Sequence, residues 1–118
     1  MSILAELTDL CATFPACRAV AYCDLMTGMV LCSSTRIKTP QEQLDQLGQT
    51  ATDLLDSDFM LAGPTQNAVL VQGGDIWLVL RSATQPTEAL CCECSLDIDL
   101  DRLLHHAARI LAEISGLT

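Results

Sequence analysis

Ala68-Val69-Leu70-Val71-Gln72-Gly73-Gly74-Asp75-Ile76-Trp77-Leu78-Val79-Leu80-Arg81 is the stretch that decides how this chain folds. An apolar run with strand character comes first, then Gly73-Gly74-Asp75, then a second apolar run. Paired glycines between two such runs mark a tight hairpin, because the favoured hairpin turns need positive φ. A hairpin joins antiparallel neighbours, so the sheet built around it is antiparallel.

The same pattern recurs upstream. Arg18-Ala19-Val20-Ala21-Tyr22-Cys23 reads as a strand, and Met29-Val30-Leu31-Cys32-Ser33-Ser34 reads as its partner. Between them, Asp24-Leu25-Met26-Thr27-Gly28 supplies a turn, with Gly28 suited to positive φ. A fifth strand covers Ala89 to Ser95. Alternation there turns Glu93 outward and puts Cys92 and Cys94 on one face, opposite Cys91. The segments Ser57 to Asn67, with Gly63-Pro64, and Ser82 to Thr87, with Pro86, read as loops.

Three helices complete the pattern. The opening helix runs over Ile3–Phe14, with Ile3, Leu4, Leu7, Leu10, Cys11 and Phe14 in one stripe, Ser2 as cap and Pro15 as stop. The middle helix, Pro40–Leu55, has Thr39 as N-cap, Pro40 at its first position and Glu42 completing a capping box. Leu44, Leu47, Ala51, Leu54 and Leu55 form its apolar face. Gln43, Gln46, Gln49 and Asp53 lie opposite, a polar but mostly uncharged face that suits either solvent or an interface. The closing helix starts near Asp99. Leu100, Leu103, Leu104, Ala107, Ala108, Leu111 and Ile114 line its apolar face, and Gly116 ends it. The order is α-β-β-α-β-β-β-α. It predicts an α/β domain of the α+β type, a five-stranded antiparallel sheet with helices on its faces.

At 118 residues the chain is one domain, 1–118. Half of it is hydrophobic and 18% is charged, against about 25% in an ordinary soluble domain. The excess apolar surface points to a partner, since large apolar patches are rarely left to water. The net charge of −9 includes one lysine, Lys38, and five scattered arginines. Nucleic-acid binding needs clustered cations and stacking platforms, and neither is present. Anionic membrane surfaces are disfavoured for the same reason, and with no apolar stretch long enough to span a bilayer no membrane insertion is expected. Any electrostatic steering favours a basic partner. Seven cysteines, an odd number, without a charged leader and apolar run, point to a reducing cytoplasm.

Cys91-Cys92-x-Cys94, with His105 and His106 further on, is the motif most open to a chemical reading. Thiolates bind soft metals and attack electrophiles. Cys91 and Cys94 stand at Cys-x-x-Cys spacing, yet strand alternation separates Cys91 from Cys92 and Cys94, and no second cluster follows at zinc-finger spacing. No Gly-x-Ser-x-Gly elbow or phosphate-binding glycine motif occurs. Asp97, Asp99 and Asp101 lack the glycine and terminal glutamate of a calcium loop, and gather where a helix dipole favours them. The residues therefore predict no catalytic, metal or cofactor site, and no enzyme.

The element order resembles the roadblock/dynein light-chain family. The resemblance rests on the helix Ile3–Phe14, the strand Ala19–Cys23 leading through Asp24-x-x-x-Gly28 to Met29–Ser33, the capped helix Pro40–Leu55, the hairpin at Gly73-Gly74, and the closing strand and helix. It covers nearly the whole chain and extends to profilin-like relatives. It implies a homodimer in which the second helix and third strand of two copies pair. Here those are Gln43, Gln46, Leu47, Thr50 and Asp53 on the helix, and Ala68, Val69, Leu70 and Val71 on the strand. It further implies a non-catalytic interaction or scaffold module, serving a small Ras-like GTPase or a motor-type complex. Two other readings stand beside it. A small acidic secretion-type chaperone would carry three strands before the middle helix, where two are counted. A thiol or metal-binding protein would use Cys91, Cys92 and Cys94.

Overall fold

The computed structural model describes residues 2–36, 42, 45, 46, 48, 49, 67–82 and 84–116. Helix α1 is Ile3–Thr13. Five strands follow, β1 Cys17–Asp24, β2 Met29–Thr35, β3 Asn67–Gln72, β4 Asp75–Arg81 and β5 Glu88–Ser95, and the chain closes on α2, Leu100–Gly116. Of the middle helix, Glu42, Asp45, Gln46, Gly48 and Gln49 are described, and all are helical. Thr39, Pro40, Leu44, Leu47, Ala51, Leu54 and Leu55 lie outside the described residues.

The local signals act as their chemistry requires. Ser2 caps α1, its hydroxyl accepting from the Ala5 amide at 3.1 Å. The helix stops at Thr13 because Phe14 precedes Pro15 and is held extended, at φ −118° and ψ 94°. At the first hairpin the Asp24 carboxylate accepts from the Met26 amide and the Thr27 hydroxyl, each at 3.1 Å, and Gly28 takes φ +73°. At the second, Gly73 takes φ +62°, and Gln72 pairs directly with Asp75.

The strands form one antiparallel sheet in the order β2-β1-β5-β4-β3. Alternation sorts its side chains into two layers. On one face Val20, Tyr22, Leu78, Leu80, Leu90, Cys92 and Cys94 pack against Leu7, Leu10 and Phe14 of α1 and its cap, and against Leu103, Ala107, Ile110, Leu111 and Ile114 of α2. Two expectations need correction. Ala108 is exposed and Ile110 takes its place in the core, because Ile110 falls in line with Leu103, Ala107 and Ile114. Leu4 is likewise exposed, outside the buried stripe of α1.

The second face is lined by smaller side chains, Ala21, Cys23, Ala89 and Cys91, with Val79 and Leu25. Small residues let a helix approach closely, and the middle helix does so at Gly48. A Cβ on Gly48 would collide with the Gly28 carbonyl oxygen and lie 3.6 Å from Val30 Cγ2. Helices α1 and α2 therefore cover the first face, and the middle helix meets the second at Val30.

An unforeseen arginine holds α1 to the sheet. Arg36, just past β2, donates from Nε to the Cys17 carbonyl at 2.8 Å, and from Nη2 to the carbonyls of Cys11 and, at 3.2 Å, Phe14. It satisfies carbonyls that the end of a helix leaves open. Arg36→Ala should lower the unfolding free energy by about 1.5–3 kcal/mol, the range for hydrogen bonds to a charged group. Urea unfolding measures this; an unchanged midpoint would show the contacts to be idle.

Candidate interaction surface

Among the described residues, strand β3 is an edge strand, paired with β4 on one side only. Its register with β4 runs from Asn67↔Leu80 to Gln72↔Asp75 without a shift. Such an edge presents a straight row of backbone N–H and C=O groups. Val69 and Val71 stand opposite Leu78 and Ile76, and are 47% and 62% exposed. Leu70, opposite Trp77, is half-buried on the other face. Ala68 lies opposite Val79. The edge is thus apolar, flat, and free of the charges, prolines and bulges that normally discourage pairing.

The helix half of the expected surface is less fully described. Gln46 is helical and exposed, whereas Gln43, Leu47, Thr50 and Asp53 lie outside the described residues. Gly48 seats the helix against the β1–β2 turn, on the opposite side of the sheet from β3. The described residues thus hold the strand half of the expected surface, and of the helix half only Gln46.

The cysteine cluster is placed as core. Cys92 and Cys94 lie in the layer under α1 and α2, Cys91 in the opposite layer, and Cys11, Cys17 and Cys23 are also buried. Burial pushes the Cys23 thiol up to about 12 and the Cys91 thiol well above its ordinary value. Cys92 is raised first by its hydrogen bond with the neighbouring Cys17 thiol, then by burial. These are the opposite of an activated thiolate. His105 is exposed and lies 3.9 Å from Asp101 one turn earlier, while His106 packs edge-on against Phe14 at 5.2 Å. Among the described residues no group of three His, Cys, Asp or Glu could hold a metal ion. Of the seven thiols, only Cys32 is partly exposed. An aromatic disulfide reagent should therefore label at most one thiol quickly in the native chain and all seven in guanidinium. Rapid native labelling of Cys91, Cys92 or Cys94 would restore the thiol reading.

Charge is used structurally. Arg18 on β1 pairs with Asp75 at the start of β4, approaches Glu93 of β5 at 3.9 Å, and donates to the Cys94 carbonyl at 3.4 Å. It ties three strands together. Arg102 of α2 lies over the Phe14 ring, 5.5 Å from its centre. Among the described residues no helix is long and apolar enough to cross a membrane.

Two helices over a five-stranded antiparallel sheet in this order define a roadblock/profilin-like α+β fold. Within that class its fold is the one seen in Roadblock/LC7 domain structures. The Roadblock/LC7 domain from Streptomyces avermitilis superposes with a TM-score of 0.83 at 12% identity, covering 99% of this chain and 98% of that one. The gliding protein MglB from Thermus thermophilus gives 0.79 at 18% identity, over 98% and 90%. MglC from Myxococcus xanthus gives 0.64 at 13%, over 96% and 99%. No protein-family model matches the sequence. No curated protein matches it either.

Proposed function

We propose that this chain is a non-catalytic homodimeric scaffold that regulates a small Ras-like GTPase. The observation that carries the reading is the open β3 edge, apolar and unshifted, in a roadblock-like fold. Two copies meeting along β3 would satisfy the free backbone groups of both edges and cover Val69 and Val71 in one contact. The expected helix contribution comes from Gln43, Gln46, Leu47, Thr50 and Asp53, whose amides and hydroxyl tolerate burial when hydrogen-bonded. The absence of activated thiols among the described residues favours a binding role over chemistry at Cys91, Cys92 and Cys94.

Light scattering behind a sizing column, across a dilution series, tests the pairing. A mass of two chains that persists on dilution supports it, and a monomer at high concentration overturns it. The second half is tested with small Ras-like GTPases from the same organism, loaded in turn with GDP and GTP. A stable complex or a changed hydrolysis rate supports the regulatory role. A dimer that binds none of them would leave the scaffold without that partner.

A further inference from the structure

At the end of the sheet nearest the start of α1, the strands β1, β2 and β5 frame a groove of about 440 Å³. Its walls combine two chemistries. Ile3, Met26 and Leu31 are aliphatic, while Tyr22, Asp24 and Glu88 carry oxygen. Tyr22 is 2% exposed, and its hydroxyl has no hydrogen-bond partner; Oε2 of Glu88 is also buried and unpartnered. Two orphaned polar atoms on one groove are costly, since each gives up water without a replacement. Burial also pushes the Glu88 carboxyl up from its ordinary value, as for an acid lacking a counter-charge.

The groove's chemistry narrows its occupant. An anion would meet Asp24 and Glu88, which face each other across β1 and β5. A purely apolar group would leave the Tyr22 hydroxyl and Glu88 as they are. A hard cation needs several free oxygens, whereas both Asp24 oxygens already accept from the turn. What fits is a cationic fork on an aliphatic stem. A guanidinium offers five donors in a plane that matches a carboxylate, and its stem packs on apolar walls.

None of this chain's five arginines supplies that group. Arg18 is spent on Asp75, Arg36 on α1, Arg81 on the Pro86 carbonyl, Arg102 on Phe14, and Arg109 lies at His106. The net charge of −9 draws basic partners from solution. We propose that this groove receives an arginine side chain of a partner protein, its guanidinium on Glu88 and the Tyr22 hydroxyl, and its stem on Ile3, Met26 and Leu31. Leu31 reaches this wall from a β-bulge, being the extra residue of β2 between the pairs Tyr22↔Cys32 and Cys23↔Val30. The site is separated from β3 by β4, so it stands whether or not two copies pair.

The test is an amide-shift titration of the full ¹⁵N-labelled chain with acetyl-arginine amide. Its neutral isostere, acetyl-citrulline amide, serves as comparison. Arginine should move the signals of Tyr22, Met26, Leu31 and Glu88 at millimolar concentration, with citrulline binding at least tenfold more weakly. Glu88→Gln should weaken arginine binding about tenfold. Tyr22→Phe should weaken it a few-fold while leaving the melting temperature unchanged or higher, because the hydroxyl has no partner in the free chain. Equal shifts from citrulline, shifts confined to other residues, or full binding by Glu88→Gln would each overturn the proposal. Acetyl-lysine amide binding as tightly as arginine would overturn the choice of a guanidinium.

Discussion

Gly48→Ala should destabilise the fold by about 2 kcal/mol or more, although the same change on an exposed helix would stabilise it by roughly 1 kcal/mol. The sign reverses because of one contact. The added methyl would sit against the Gly28 carbonyl oxygen and 3.0 Å from its carbon. Neither partner can yield cheaply. Gly28 is fixed by the hydrogen bond from its amide to the Asp24 carbonyl at 2.8 Å and by its φ of +73°. The helix must instead lift away, losing its packing on Val30. Overpacking of a fitted contact costs about 1–3 kcal/mol, occasionally more, and the helix-propensity gain offsets only part. Gly74→Ala is the control, since a Cβ there meets nothing within 4 Å. It should change stability by less than about 0.5 kcal/mol. Paired urea melts decide the matter, and a Gly48→Ala chain as stable as the parent would show that the helix does not dock as described.

The second large effect concerns assembly. Val69→Asp combined with Val71→Asp should leave the single chain folded but weaken its self-association at least a hundredfold, about 2.8 kcal/mol. Both side chains are exposed on the free edge, so the substitutions cost an isolated monomer only β-propensity, about 1 kcal/mol or less per site. In a pairing through β3 the carboxylates of two copies would face one another in a seam with little water, where unpaired charge is expensive. Sedimentation velocity of the parent and the double variant at matched concentrations reads the difference. A variant that keeps the parent's assembly state would place the contact elsewhere on the molecule.

Much of the fold was legible because its signals are local. The Ser2 cap, the Asp24–Gly28 turn, the Gly73-Gly74 hairpin and the opposed faces of Cys91 and Cys92 all depend on residues within a few positions. Boundaries of the fully described elements fell within a residue or two for the same reason. The order β2-β1-β5-β4-β3 was not legible, since it sets β1 beside β5 across some seventy residues of chain. Nor was the work of Arg36, whose carbonyl partners precede it by 19 to 25 positions. Gly48 does carry a signal. It lies four residues after Leu44 and three before Ala51, in the apolar stripe, where a glycine marks close approach rather than a gap. The groove at Tyr22 and Glu88 has none, because strand pairing and a β-bulge assemble it.

The two rims of the sheet are chemically unlike, and this limits how far strand-by-strand growth can run. The β3 rim is straight and aliphatic. The β2 rim is kinked by its bulge at Leu31 and tied to α1, with the Thr8 hydroxyl reaching Ser34 at 3.3 Å and the Cys11 thiol donating to the Ser34 carbonyl at 3.7 Å. A head-to-tail stack would need β3 of one molecule to seat on β2 of the next, and would propagate as a fibre. The bulge and the ties to α1 disfavour that route. A two-fold join of like rims would exhaust both at once, and association through the sheet would then be self-terminating.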